Sequence, residues 1–195
     1  MFSKKNRLPR VFIFLLVLCC SVFGQAEGEA YQIKDLRDNE QYRVVRINNL
    51  TWMAENLNYK VGNSWCYDND NLNCEKYGRL YDWKAAKKAC PSGWRLPSSQ
   101  EYDSLVKRVG GSIFGKKLKS VAWGGSDDFG FSALPGGSRF SDGFLYIGSN
   151  GNWWTSTECG SGRASIRYMG PGYEDILEDC KDKSLFGFSV RCVQD

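Results

Sequence analysis

Residues 90–98 read CPSGWRLPS, and residues 187–193 read GFSVRCV. The first of these segments is a stop followed by a start. Before it, Leu80, Trp83, Ala86 and Lys87 recur at helical spacing and Ala85, Ala86 and Ala89 favour helix, so a helix is expected over 77–90. Cys90-Pro91-Ser92-Gly93 ends it. Ser98 then caps a second helix, and Glu101, three residues on, completes a capping box. That helix runs to about Val109, where Gly110-Gly111 stops it. Upstream, 31–38 and 41–47 look strand-like on either side of the turn Asp38-Asn39-Glu40, and a third short strand follows at 50–53. Downstream of Gly111 glycine is dense, and short strands are expected at 144–147, 153–156, 164–169 and 188–193. Two helices among short antiparallel strands make one α+β domain.

The chain has 195 residues, 42% of them apolar and 14% aromatic, enough to bury a sizeable core in a single domain. Its net charge of +4 is misleading. Residues 1–24 hold Lys4, Lys5, Arg7 and Arg10 and no acid, so the remainder carries 22 basic and 22 acidic side chains. A balance near zero argues against a nucleic-acid partner, which needs a basic stripe. There is no histidine. Ser-His-Asp and Cys-His hydrolases, histidine-ligated metals and the usual neutral-pH acid–base residue are thereby excluded.

The basic start is followed by the apolar run VFIFLLVLCCSV at 11–22, too short for a stable membrane anchor and ordered as an export signal is. Val22-Phe23-Gly24 fits the small-residue cleavage rule, which puts the mature start near Gln25; Ala26-Glu27-Gly28 is the weaker choice. Residues 1–24 are therefore read as a signal peptide and 25–195 as the domain, secreted or held at the outer cell surface, with no transmembrane segment in the mature chain. Lipid attachment at Cys19 or Cys20 is not expected. Leu18 directly precedes Cys19, and Cys20 has Val17 where lipidation prefers Leu.

Of eight cysteines, six remain after cleavage, and an even count in an exported chain reads as three disulfides with fifteen connectivities open. Cys66 and Cys74 enclose the polar loop YDNDNLN, which a local bridge would order. A Cys90–Cys192 link closes a loop of about a hundred residues, worth up to about 4–5 kcal/mol in the chain-entropy account. Cys159–Cys180 is left nested inside. Metal thiolates are disfavoured, since no C-x-x-C spacing occurs.

Six ordered segments resemble the Fibrobacter succinogenes major paralogous domain family: Trp52-Met53-Ala54-Glu55-Asn56-Leu57; Tyr77-Gly78-Arg79-Leu80-Tyr81-x-Trp83; Cys90 to Ser98; Gly130-Phe131-Ser132-Ala133-Leu134-Pro135-Gly136-Gly137-x-Arg139; Trp153-Trp154-Thr155-Ser156-Thr157-Glu158; and Gly187 to Val193. The resemblance spans about Tyr31 to Asp195. The pieces are also similar to the broader C-type-lectin-like group, which includes bacterial adhesin domains and formylglycine-generating enzymes. That likeness implies a C-type-lectin-like domain in which an outer disulfide ties the first helix region to the last strand and an inner one braces the loops, in agreement with the pairing above. It implies no general activity, because the fold serves many purposes.

Sugar-binding surfaces present aromatic rings beside polar groups, which makes Trp65, Tyr67, Tyr146, Trp153 and Trp154, with Asp142, the ligand-binding candidates. Adjacent Trp153 and Trp154 face opposite sides of a strand, so one is expected in the core, while the other either reaches the surface or is buried beneath loops. Trp52, Trp83 and Trp94 are assigned to the core. The calcium-binding triplets of lectin-like domains are absent, and Asp68-Asn69-Asp70-Asn71 lacks the EF-hand spacing. No metal or cofactor is expected. Asp142 with Glu158, or Asp127 with Asp128, offers carboxylate pairs, but carboxylates near Gly-rich turns usually serve the turn. Arg139 is expected to form a buried pair or to bond a loop carbonyl. The leading expectation is a non-enzymatic module recognising polysaccharide or another surface ligand. A structural, protein-binding surface component is the alternative, and an oxidase akin to formylglycine-generating enzymes, which needs two free thiols, is a third.

Overall fold

A computed structural model describes residues 29–141, 143–172 and 174–195; the export segment, with Cys19, Cys20 and the cleavage sites, lies outside them, as does Asp142. In chain order the strands and α-helices are β1 (Ala30–Lys34), β2 (Gln41–Ile47), β3 (Leu50–Met53), β4 (Ser64–Trp65), α1 (Asn71–Tyr77), β5 (Leu80–Tyr81), α2 (Trp83–Ala89) and α3 (Ser99–Val109). Then follow β6 (Ser138–Phe140), β7 (Gly143–Leu145), β8 (Gly151–Gly160), β9 (Arg163–Met169), β10 (Leu177–Asp182), β11 (Phe186–Gly187) and β12 (Val193–Gln194). Short 3₁₀ turns connect several of them. The strands form small antiparallel sheets ordered β1-β2-β3-β12, β10-β9-β8, β11-β6-β7 and β4-β5. The α+β class holds, with three α-helices where two were expected.

The difference lies in 77–90. The expected single helix is broken at Gly78, whose φ of 74° ends α1 and whose missing side chain lets the Asn56 backbone approach; a Cβ there would sit 2.7 Å from the Asn56 carbonyl oxygen. The chain then pairs as β5 before Asp82 starts α2 by accepting from the Ala85 amide at 2.7 Å. By contrast α3 has the expected capping box. Ser98 accepts from the Glu101 amide at 3.2 Å and Glu101 accepts from the Ser98 amide at 2.7 Å, while Gly110 closes the helix with φ 112°.

Adjacent residues of the central strands enter two different cores. Val44, Met53, Trp154, Ile166 and Phe188 pack with α2 on one side. Val45, Trp52, Trp153 and Met169 pack with α3 on the other, together with Phe131. A strand covered on both faces loses the in–out alternation of a half-exposed one. Trp153 and Trp154 do face opposite sides, yet both are fully buried. Of the two readings, burial of both holds, and their place among the ligand-binding candidates is therefore corrected. Trp52 and Trp83 are in the core as expected, and Trp94 is half-buried against it.

At the junction of these layers lies a fully buried guanidinium, that of Arg191. Its Nε donates to Asn56 Oδ1 at 3.0 Å, Nη1 donates to the carbonyls of Met53 (3.3 Å) and Phe131, and Nη2 donates to the Ser132 carbonyl at 2.6 Å. The Phe131 ring centre is 4.4 Å from the guanidinium carbon. Burial pushes its pKa down to about 10, so it remains charged at neutral pH. Asn56 extends the network by accepting from Trp153 Nε1 at 2.9 Å and donating to the Tyr77 carbonyl at 2.8 Å.

The three disulfides form as paired from the sequence: Cys66–Cys74, Cys90–Cys192 and Cys159–Cys180, with separations of 8, 102 and 21 residues. Cys90–Cys192 joins the end of α2 to the residue before β12, directly beside Arg191.

Replacing Arg191 by Met should cost about 3–5 kcal/mol, since the Met53, Phe131 and Ser132 carbonyls lose its donors and Asn56 Oδ1 keeps only Trp153 Nε1; a guanidinium chloride midpoint within error of wild type would refute the hub. Removing Cys90–Cys192 by paired serines should cost about 4–5 kcal/mol against about 2–3 for Cys66–Cys74, the order set by loop length. Equilibrium unfolding of the two double variants checks that ranking.

Candidate functional site

The register of β8, β9 and β10 sets one face of the site. Asn152 lies opposite Tyr168, Ile166 opposite Asp179, and Ala164 opposite Lys181. Residues paired across strands share a face, so Asn152, Ile166, Tyr168, Asp179 and Lys181 all look the same way. Facing them, the β6–β7 hairpin and β11 contribute Leu145, Tyr146 and Phe186. The two walls bound a cleft of about 290 Å³.

Its aromatic residues are fixed by different means. Tyr146 is 59% exposed and has φ 68°, a left-handed conformation unusual for a bulky residue. The turn holds it there. The amides of Ser149 (3.1 Å) and Asn150 (2.9 Å) both donate to its carbonyl, and the Gly148 amide donates to Pro135 at 2.8 Å. Phe186 is anchored from behind by a run of rings leading into the core. Ring centres are 4.9 Å apart from Phe140 to Phe186, 5.4 Å from Phe186 to Phe188, and 4.8 Å from Phe188 to Trp154.

The polar groups sit between these rings. Asp179 pairs with Lys181 Nζ at 2.5 Å and accepts from the Cys180 amide at 2.7 Å. Burial raises its pKa, but those two bonds outweigh it and hold the carboxyl below its usual 3.8. Asn152 spends its Nδ2 on the Gly137 carbonyl (3.2 Å), and Asn150 accepts through Oδ1 from Ser149 Oγ (2.8 Å). The cleft thus combines apolar ring faces with amide and ionic edges, a combination suited to a ligand with apolar faces and a hydroxyl rim.

The other face of the same sheet is closed. Arg167 is buried and reaches Glu178 Oε2 (3.0 Å) and Asp103 (2.5 Å), while Ser165 Oγ donates to Glu178 Oε1 at 2.5 Å. Ser99 Oγ at the start of α3 also bonds Glu178. Burial raises the Glu178 pKa, yet the two serine bonds and Arg167 bring it below its ordinary 4.5. This network fixes β10, and with it Asp179 and Lys181, against β9 and α3.

Of the residues picked from the sequence, Tyr146 lines the cleft, Trp65, Tyr67, Trp153 and Trp154 do not, and Asp142 lies outside the described residues. Trp65 is half-buried, with the Arg139 guanidinium 4.0 Å above its ring; Arg139 thus stacks on a ring instead of making the buried pair or carbonyl bond expected of it. Tyr67 is buried beneath the β6–β7 hairpin with its ring 5.2 Å from Phe144. Trp153 and Trp154 stand behind the cleft, in the cores. Asp70 caps α1 by accepting from the Leu72 amide at 3.0 Å, Asp127 accepts from the Ser132 amide at 2.7 Å, and Glu158 pairs with Lys183 at 2.8 Å. These carboxylates serve turns and ion pairs. All six described cysteines are bridged.

Residues 45–194 match the profile of the Fibrobacter succinogenes major domain. The chain belongs to that family. No curated protein and no solved structure matches it. In this Fibrobacter succinogenes major domain the buried hub is drawn from 52–57, 77–83, 130–139, 153–158 and 187–193, which also supply Ser138 and Phe188 to the cleft, whereas Tyr146, Asn150, Asn152, Tyr168, Asp179, Lys181 and Phe186 fall outside them. No helix among the described residues is long and apolar enough to cross a membrane.

Sequence reading missed the β10 wall altogether. LEDCKD is rich in residues that avoid strands, and only its pairing with β9 and its Cys180 bridge make it one. The usable signal is Asp179-x-Lys181 set opposite Ala164-x-Ile166, an alternation visible once the two segments are aligned.

A depressed carboxylate stabilises the fold above its unfolded-state pKa and loses that contribution as pH falls through its folded value. Melting temperature should therefore hold from neutral pH to about 5 and decline below about 4, and Glu178→Gln should flatten part of that decline. Because Glu178 is partly exposed, the difference should stay within about 1 kcal/mol. Identical acid profiles for the two proteins would disprove its share.

Proposed function

We propose that this domain is an exported, non-enzymatic binding module that holds a polysaccharide segment in the cleft between β8-β9-β10 and β6-β7-β11. The observation that carries the reading is Tyr146, an exposed ring kept in a left-handed backbone conformation at the cleft rim. Such a conformation is costly, and it persists only where the surroundings over-determine it. A sugar ring stacked on Tyr146 and Phe186 would place its hydroxyls near Asn150, Asn152 and the Asp179–Lys181 pair. Export is supported by the basic-then-apolar start and by three disulfides. The nesting of Cys159–Cys180 within Cys90–Cys192 supports a C-type-lectin-like fold.

One observation favours a second reading, a protein-binding component of the cell surface. Phe140, Leu145 and Leu185 beside the cleft are 41%, 44% and 46% exposed, an apolar rim that a protein partner would cover.

Retention of the oxidised protein on cellulose, xylan and pectin, with a soluble-glycan array, decides between them. Tyr146→Ala should weaken glycan binding about fivefold or more, as the loss of a stacked ring does, while Trp65→Ala should leave it unchanged. Absence of retention on every glycan would reject the polysaccharide reading and favour the protein partner.

A further inference from the structure

Two asparagines that line the cleft each keep one amide atom unused, and the two unused atoms are of opposite kinds. Asn152 is 8% exposed, and its Nδ2 donates to the Gly137 carbonyl at 3.2 Å. A carbonyl only accepts, so this bond fixes which way the amide points. The Asn152 Oδ1 is left as an acceptor with no partner among the described residues. Asn150 is the reverse case. Its Oδ1 accepts from Ser149 Oγ at 2.8 Å, which leaves the Nδ2 donor with no partner among the described residues. One residue ties the two together. The Gly137 amide donates to the Asn150 carbonyl at 2.8 Å while its own carbonyl receives Asn152. Gly137 has φ 70°, and a Cβ there would sit 2.7 Å from the Leu145 carbonyl oxygen, so a side chain at this position would displace the pair. An amide oxygen on a side chain this deeply buried is costly to leave unmatched, and a ligand that donates to it recovers that cost.

The surroundings limit what the ligand can be. Ile166 and Phe188 line the same cleft, are buried, and give it an apolar floor. Asp179 and Lys181 neutralise each other at 2.5 Å, so the cleft holds no unbalanced charge among its described residues. A donor, an acceptor and an apolar floor are the complement of an acetamido group, which has a carbonyl, an N–H and a methyl. A hydroxyl in its place would leave the floor uncovered, and an ammonium, which only donates, would leave the Asn150 donor unmatched.

Resting on the polysaccharide reading above, we infer that the ligand is a polymer of 2-acetamido sugars. The acetamido N–H donates to Asn152 Oδ1, its carbonyl accepts from Asn150 Nδ2, its methyl rests on Ile166 and Phe188, and the sugar ring stacks on Tyr146. Chitin and peptidoglycan both carry this group.

Titration calorimetry of the oxidised protein with chitohexaose, its fully deacetylated form and cellohexaose tests this, because the three share one β-1,4-linked backbone and differ at carbon 2. Chitohexaose should bind about tenfold more tightly than either of the others, as two hydrogen bonds and a buried methyl require. Asn150→Asp keeps the oxygen that Ser149 uses and turns the free donor into an acceptor, so it should remove that preference. Equal melting temperatures verify that the fold is intact. Tyr146→Ala should weaken chitohexaose and cellohexaose alike. Equal affinity for these two, with Tyr146 still required, would overturn the acetamido ligand and keep the cleft. A preference that survives Asn150→Asp would overturn the asparagine seat. No binding of any hexamer would overturn both the inference and the reading beneath it. Pull-down on purified chitin and on purified peptidoglycan separates the two sources: retention on either supports the inference, and retention on neither counts against it.

Discussion

A charged guanidinium without a carboxylate partner sits at the centre of this domain, and the surrounding backbone is arranged to receive it. Arg191 is surrounded by carbonyl oxygens drawn from β3 and from the loop before β6. Burying a lone cation is costly, and only a nearly complete set of well-placed acceptors makes it tolerable. The requirement works in both directions. Met53, Phe131 and Ser132 must present their carbonyls inward for Arg191 to be housed, and without Arg191 those same oxygens would be orphaned. Asn56 then passes the constraint to Trp153 and to the end of α1, and the adjacent Cys90–Cys192 bridge keeps Arg191 from leaving with its strand.

From this centre the layering follows. Strands that run through the junction must bury both faces, which is why neighbouring residues in β2, β3 and β8 enter separate cores. The cleft arises at the periphery, where the outward face of β8, β9 and β10 meets the β6–β7 hairpin and β11. Its opposite face is locked onto α3 by Arg167, Glu178 and two serines. The polar wall of the cleft is thus tied to the domain from behind, and its tyrosine rim is held by a hydrogen-bonded turn.

How far this was legible in the sequence depends on the range of the forces involved. The capping box at Ser98 and Glu101, the first three strands and the three disulfides could all be read, because each rests on local chemistry or on the pairing logic of an exported chain. The break in 77–90 could have been read from Gly78 and Asp82, a C-cap and an N-cap only four residues apart, but the helical spacing of Leu80, Trp83 and Ala86 masked it. Trp153 and Trp154 were legible as opposite-facing, but the choice between a surface and a buried second ring was not, since the second cover comes from elements distant in the chain. The cleft was the least legible part. Of the candidates proposed for it, Tyr146 belongs there; the rest of its lining is ordinary strand residues made into a site by register.

The residues that hold the buried hub and those that form the open wall of the cleft are different ones, and this has a consequence for how such a domain can vary. Phe131, Trp153 and Arg191 specify the architecture from within, while Tyr168, Asp179 and Lys181 stand on the outward alternation of strands whose inward residues are already committed. A duplicated copy can exchange those outward side chains one at a time and keep its folding information intact. A genome holding many copies of this domain would then possess a repertoire of surfaces on one scaffold, each free to drift toward a different ligand.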